Sequence, residues 1–174
     1  MVSPKFLVLL EEEDLKDKVV LDVGCGAGQL AFLLAPRCRS VMGIDRDRAA
    51  MIVAYLCMSD AIIARAGRAL APGECLAFVC FHVDQWRETG RPSRFAYDEA
   101  RLAAVLRGSG FHPEHLEVDR EVTRFDTVEE GLAAAVGLED KWKTDGRWLR
   151  YMEFLEQGGR TLTRSHLIVK ARRQ

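Results

Sequence analysis

The chain has 174 residues, of which 48% are apolar and 29% charged, and its formal net charge is −1. Those proportions belong to an ordinary globular domain and exclude a disordered or collagen-like chain. The near-neutral balance lacks the basic footprint of a dedicated nucleic-acid binder.

Five cysteines, Cys25, Cys38, Cys57, Cys75 and Cys80, are odd in number and never fall at C-x-x-C spacing. This argues against a disulfide framework and a zinc site, and for free thiols in a cytoplasmic protein without a bound metal. The first 14 residues carry an apolar patch but no basic leader, so no signal peptide is expected there. No apolar run reaches the roughly 18 residues of a membrane span. The expectation is a single domain, 1–174, with no membrane contact.

In chain order, Ser3 before Pro4 signals a helix start, and a short helix is predicted over residues 5–13. Val19, Val20, Leu21 and Val23 form a branched apolar run, the pattern of a strand buried on both faces of a parallel sheet. Gly24 to Gly28 turn the chain into a helix over 29–35, and a second strand over 41–44 ends at Asp45. A strand over 52–57, a helix over 60–70, a Pro72-Gly73 turn and a strand over 76–81 continue the alternation. A helix over 97–107 stops at Gly108 and Gly110, and a strand follows over 116–122. Residues 126–160 read as a helical insertion, with helices over 128–136 and 148–156. A closing strand over 161–169 runs into the basic end Lys170, Arg172 and Arg173. The class is α/β: a Rossmann-like, mostly parallel sheet with helices on both faces and a closing antiparallel strand.

One part of this pattern is short. Only residues 46–51 separate the strand ending at Asp45 from the one starting at Ile52, whereas a parallel crossover takes about a dozen residues or more. Six residues reach roughly 20 Å fully extended, too little chain for the usual helix plus strand. Either that crossover is deleted, or a stretch of chain has dropped out of the numbering. The second fits better, because a bare sheet edge is an aggregation liability.

Asp22-Val23-Gly24-Cys25-Gly26-Ala27-Gly28 lies where a strand becomes a helix. Glycines there permit positive φ and remove the Cβ atoms that would hold a ligand off the backbone. The helix start offers free amides to an anionic group, and Asp45 at the next strand tip can accept from two ribose hydroxyls. Together they describe an adenosine-type pocket. An ordinary strand-to-helix turn, and a capping or turn role for Asp45, are the plain alternatives.

At these residues the sequence resembles the class I S-adenosylmethionine-dependent methyltransferases of small-molecule type. Their first motif reads acid-x-Gly-x-Gly-x-Gly, matched by Asp22, Gly24, Gly26 and Gly28. The resemblance implies that Gly24, Cys25, Gly26, Ala27 and Gly28 pack against the methionine portion of S-adenosylmethionine and that Asp22 helps hold its amino group. It also implies that Asp45, with Arg46 beside it, clamps the ribose, and that S-adenosylhomocysteine is the product. A nicotinamide fingerprint would instead need glycine at Gln29. RAGRALAPGECLAF, residues 65–78, resembles the family's helix, Pro-Gly turn and fifth strand, and residues 111–173 its closing strands with an insertion. The family's adenine-side acid has no counterpart, in keeping with the short crossover.

The acceptor is expected to be a small molecule with an oxygen, nitrogen or carbon nucleophile. Ligands of such sheets bind beyond the carboxyl ends of the strands, which brings Cys57, Met58, Ser59, Asp60 and His82 to the pocket border. His82 is a candidate base, although a histidine finishing a strand and bonding nearby backbone is the commoner case. Asp60 is a second candidate, with a helix cap as its plainer role. Trp142, Trp148, Tyr151 and Phe154 could lid the site, but their helical spacing fits core packing better. Two other functions fit the motif: a domain that binds the cofactor without turnover, and an RNA or protein methyltransferase. An N-P-P-Y signature is absent at residues 56–59.

Overall fold

The computed structural model describes residues 2–25, 28–44 and 58–174. The expected strand over 52–57 and the short crossover before it lie outside the described residues, as do Gly26, Ala27, Asp45, Arg46 and Cys57.

Helix α1 (Pro4–Glu11) starts with Ser3 at the N-cap position and proline in its first turn, the place where a missing amide costs least. Strand β1 (Val19–Val23) leads through the glycine loop to α2 (Gln29–Leu34), a 3-10 turn (Ala35–Arg37) and β2 (Ser40–Ile44). Next come α3 (Asp60–Ala69), β3 (Cys75–Phe81), a second 3-10 turn (Arg87–Thr89), α4 (Glu99–Gly108) and β4 (Phe111–Arg124). Helices α5 (Val128–Ala134), α6 (Glu139–Asp145) and α7 (Arg147–Glu156) precede β5 (Thr161–Arg173).

The described strands form two sheets. β1 and β2 pair in parallel, with Leu21 opposite Met42 and Asp22 opposite Gly43. The other sheet has the order β3-β5-β4. His82 N–H donates to the Ser165 carbonyl at 3.1 Å and Trp86 N–H to that of Thr163 at 2.9 Å, so β5 runs antiparallel to β3. Phe125 N–H to Arg160 O and Gln174 N–H to Gly110 O fix the same relation between β5 and β4. Among the described strands, therefore, only one pairing is parallel, against the mostly parallel sheet expected. One inverted strand inserted between two others makes both of its ladders antiparallel.

Contacts group the chain into two units, residues 1–80, 103–116 and 168–174 in one, and 81–102 and 117–167 in the other. In the first, Val2, Phe6 and Leu9 of the α1 region pack on Val79 of β3 and Ile168 of β5. Lys170 bridges Glu12 and Glu13 at 3.0 Å each, while Arg172 binds Glu13 at 2.6 Å and Glu114 at 2.9 Å. The basic end expected to follow the closing strand is thus the last part of that strand, with Lys170 and Arg172 paired to acids just after α1 and in β4. The Glu13 carboxyl is held down to about 2, chiefly by the hydrogen bond from Arg172, against the opposing effect of its burial.

The first unit also corrects the reading of β1. Its burial alternates, leaving Val19, Leu21 and Val23 exposed on the face shared with Met42 and Ile44. A strand with a covered and an uncovered face alternates, and none of the described residues covers this one.

The second unit is built around aromatic side chains. Trp86, Trp142 and Tyr151 meet edge to face or tilted, with centroids 5.5 Å apart for the first pair and 5.3 Å for the second. Tyr151 donates its hydroxyl to the Gly131 carbonyl at 2.9 Å. A Cβ at Gly131 would sit 2.7 Å from the Phe125 ring, so α5 approaches this core only through glycine.

Candidate functional site: the glycine loop and the strand ends

Gly24 and Gly28 both take φ of +76°, a region that costs side-chain-bearing residues strain. The amide of Gly24 donates to the Ile44 carbonyl at 2.7 Å and that of Cys25 to the same oxygen at 3.2 Å, so the end of β2 holds the start of the loop. Gly28 closes the loop by donating to the Cys25 carbonyl at 2.7 Å, and its own carbonyl accepts from Phe32 at 2.8 Å to begin α2. Among the described residues no side chain caps the six-residue α2. Asp22 sits half-buried in β1 immediately before the loop, its Oδ2 sealed from solvent.

Sequence reasoning overlooked Gly43. A Cβ at that position would lie 2.8 Å from the Cys25 sulfur, so a side chain at residue 43 would push the Cys25 side chain aside. A glycine two residues before Asp45 was the available signal.

The strand ends distribute the other candidates differently. Asp60 is the first residue of α3 and exposed, while the cap is Ser59, whose hydroxyl accepts from Ile62 N–H at 3.4 Å. His82 follows β3 and is 4% exposed. Its Nδ1 lies 3.0 Å from the Ser165 hydroxyl and accepts from the Asp84 amide at 3.2 Å. Its Nε2 lies 3.3 Å from a Glu99 carboxylate oxygen. An imidazole whose Nδ1 accepts must carry its proton on Nε2, so His82 donates to Glu99. Backbone bonding was anticipated for His82; the serine and the acid were not. Both ring nitrogens are occupied, and Glu99 is the member of the set that reaches solvent, its side chain 52% exposed. Asp84 is held in turn by an ion pair with Arg120.

Trp142 and Tyr151 are fully buried, as core packing predicts, and Trp148 and Phe154 half-buried. Burial pushes the thiol of Cys75 up to about 11 and that of Cys80 to about 12, so both stay protonated and behave as small apolar groups. Among the described residues no cluster of three His, Cys, Asp or Glu is placed to hold a metal ion, and no helix is long and apolar enough to cross a membrane. A cleft of about 280 Å³ lies away from the glycine loop, lined by Leu10, Glu13, Leu15 and Leu34 among others.

No protein-family model and no curated protein matches this sequence. Solved structures do match in shape. A candidate methyltransferase from Bacillus halodurans is 16% identical over 98% of this chain and 99% of its own, with a TM-score of 0.63. An S-adenosylmethionine-dependent methyltransferase from Mesorhizobium loti is 16% identical over 98% and 96%, with a TM-score of 0.59. The [4+2]-cyclase SpnF is 20% identical over 97% and 80%, with a TM-score of 0.56. The likeness is one of fold: a mixed α/β chain with a parallel strand pair, an antiparallel sheet and helices, consistent with the Rossmann-like fold of methyltransferases.

Proposed function

We propose that this chain binds S-adenosylmethionine at the glycine loop and transfers its methyl group to a small-molecule acceptor. The observation that carries the reading is the loop itself: two glycines at φ +76° between β1 and an uncapped helix, pinned by the Ile44 carbonyl. Bare backbone and a half-buried acid suit the methionine portion of the donor. Gly24, Cys25, Gly26, Ala27 and Gly28 would line that portion, with Asp22 toward its amino group and Asp45 and Arg46 toward the ribose. The bound donor supplies an already activated methyl sulfonium, so the chain's own task is to align the acceptor and exclude water. A base is then optional. His82, the candidate base, has both ring nitrogens engaged by Ser165, Asp84 and Glu99.

Calorimetry with S-adenosylmethionine and S-adenosylhomocysteine tests this, with Asp45→Ala as the comparison. Micromolar binding weakened at least about tenfold by the variant supports the reading. Absence of binding by folded protein defeats it. Methyl transfer is a further step beyond binding, because one fold hosts many activities. A similar fold whose name gives a cyclisation activity leaves a second reading, a cofactor-fold domain that binds without methyl transfer. Binding without product from any acceptor in a broad screen would select it. An RNA or protein acceptor fits the net charge of −1 less well.

A further inference from the structure

Arg147 opens α7, a ten-residue helix with Gly146 at its N-cap position and no side-chain cap. Its side chain is only 8% exposed, yet a guanidinium keeps its charge in any protein environment. Its Nε and Nη1 are sealed from solvent and neither makes a hydrogen bond. The carboxylate of Asp145 comes within 3.2 Å of Nε, but out of line for a hydrogen bond, and its other oxygen accepts from the Arg147 backbone amide at 3.3 Å. Arg147 thus has a nearby opposite charge but no acceptor for its buried protons.

The surroundings add donors and positive charge. The Arg147 guanidinium carbon lies 5.7 Å from the centre of the Trp86 ring, and Lys141 Nζ lies over the same ring at 5.7 Å. Trp142 packs against that ring at 5.5 Å between centroids, and its indole Nε1, in a fully buried side chain, also has no acceptor. Two cations and a third unfilled N–H donor therefore surround one indole, beside the positive end of α7.

Buried donors in native proteins are satisfied with few exceptions, and each exception asks for a partner. We infer that the corner formed by Trp86, Lys141, Trp142 and the start of α7 is a binding site for a small oxyanion, a carboxylate or a phosphate group. Planar guanidinium donors match either group in a bidentate manner. The anion takes the end-on Nη1–H and Nη2–H fork of Arg147, while Nε–H, which points away from Nη1, stays beside Asp145. The inference is independent of the methyl-donor reading, since the site is probed without S-adenosylmethionine.

The test is an NMR titration of the tryptophan indole N–H signals, assigned with Trp→Phe variants. Inorganic phosphate and acetate form separate arms, each against chloride at equal ionic strength. A saturable shift of the Trp142 indole in either arm is expected, and the arm that saturates at lower concentration identifies the class of anion. Arg147→Gln should weaken the binding about tenfold or more. Asp145→Asn, at a half-exposed turn, should tighten it severalfold by removing the neighbouring negative charge. Lys143→Gln, whose lysine is exposed and paired with Glu139, should leave it unchanged. A Trp142 signal that follows chloride in both arms overturns the site, as does unaltered affinity in Asp145→Asn. An equal loss in Lys143→Gln and Arg147→Gln overturns it too, since that would be screening of general surface charge.

Discussion

The two units differ in where they leave apolar groups bare and in what polar groups they bury. Residues 1–80 with 103–116 and 168–174 leave a row of apolar groups bare on β1 and β2, while residues 81–102 and 117–167 bury His82, Gln85, Thr89, Arg147, Thr163 and Ser165. The first holds its nearly buried charge, Lys170, with carboxylates. The second satisfies its polar groups mostly with short hydrogen bonds, such as Thr163 hydroxyl to Glu88 at 2.6 Å and Ser165 amide to Gln85 at 2.5 Å. Apolar character and burial are therefore separate properties. A side chain's chemistry is written in the sequence, but its cover is supplied by other segments.

Truncations in the two regions should separate sharply. Trp142→Ala, at a fully buried side chain, should destabilise by about 3–5 kcal/mol in urea unfolding. A loss below about 1 kcal/mol would mean that this aromatic cluster is not a packed core. Glu13→Gln comes next, at about 1.5–3 kcal/mol near neutral pH, because it weakens charge-assisted hydrogen bonds to Arg172 and Lys170. Its folded pKa of about 2 lies below the ordinary 4.5. The stabilisation is thus complete above pH 4.5 and is lost as pH falls toward 2, so wild type and variant should converge in acid. A gap that persists at pH 2 contradicts the ion-pair account.

Tyr151→Phe should cost about 1 kcal/mol through the lost bond to Gly131. Burial pushes the phenol up to about 12, so spectrophotometric titration should show it ionising only at that alkalinity. A midpoint near 10 would place the ring in water. Thr127→Ala removes the oxygen that accepts from Glu130 N–H at 3.1 Å at the start of α5, for about 1 kcal/mol. The smallest effect belongs to the other region. Leu21→Ala, at 55% exposure, should stay within about 0.5 kcal/mol. A core-sized loss there would show that the β1–β2 face is covered in solution, and would end the contrast between the units.

Much of the fold was legible in short windows. Helices α3, α5 and α7 and strands β1, β2 and β3 fall within a residue or two of their expected spans, because apolar spacing and Pro or Gly punctuation are local signals. Helix α6 was missed: EDKWKTD presents one large apolar group, Trp142, and no stripe. Strand β5 outran its expected end because Lys170 and Arg172 resemble a solvated tail until Glu12, Glu13 and Glu114 are seen beside them. The beginning of β4, with His112, Pro113 and Glu114, was obscured in the same way.

The candidate site divides along the same line. The sequence by itself determined the glycine loop, since positive φ and close backbone approach can be read from residue type, and Gly24 and Gly28 adopt that conformation. Only the tertiary structure decided that Gly43 lies close beneath the Cys25 side chain, that His82 is locked between Ser165 and Glu99, and that Arg147 is buried with donors unfilled. Each of those facts depends on groups far apart in the chain, and hydrogen bonds and burial are set by distance in space, which spacing along the sequence does not encode.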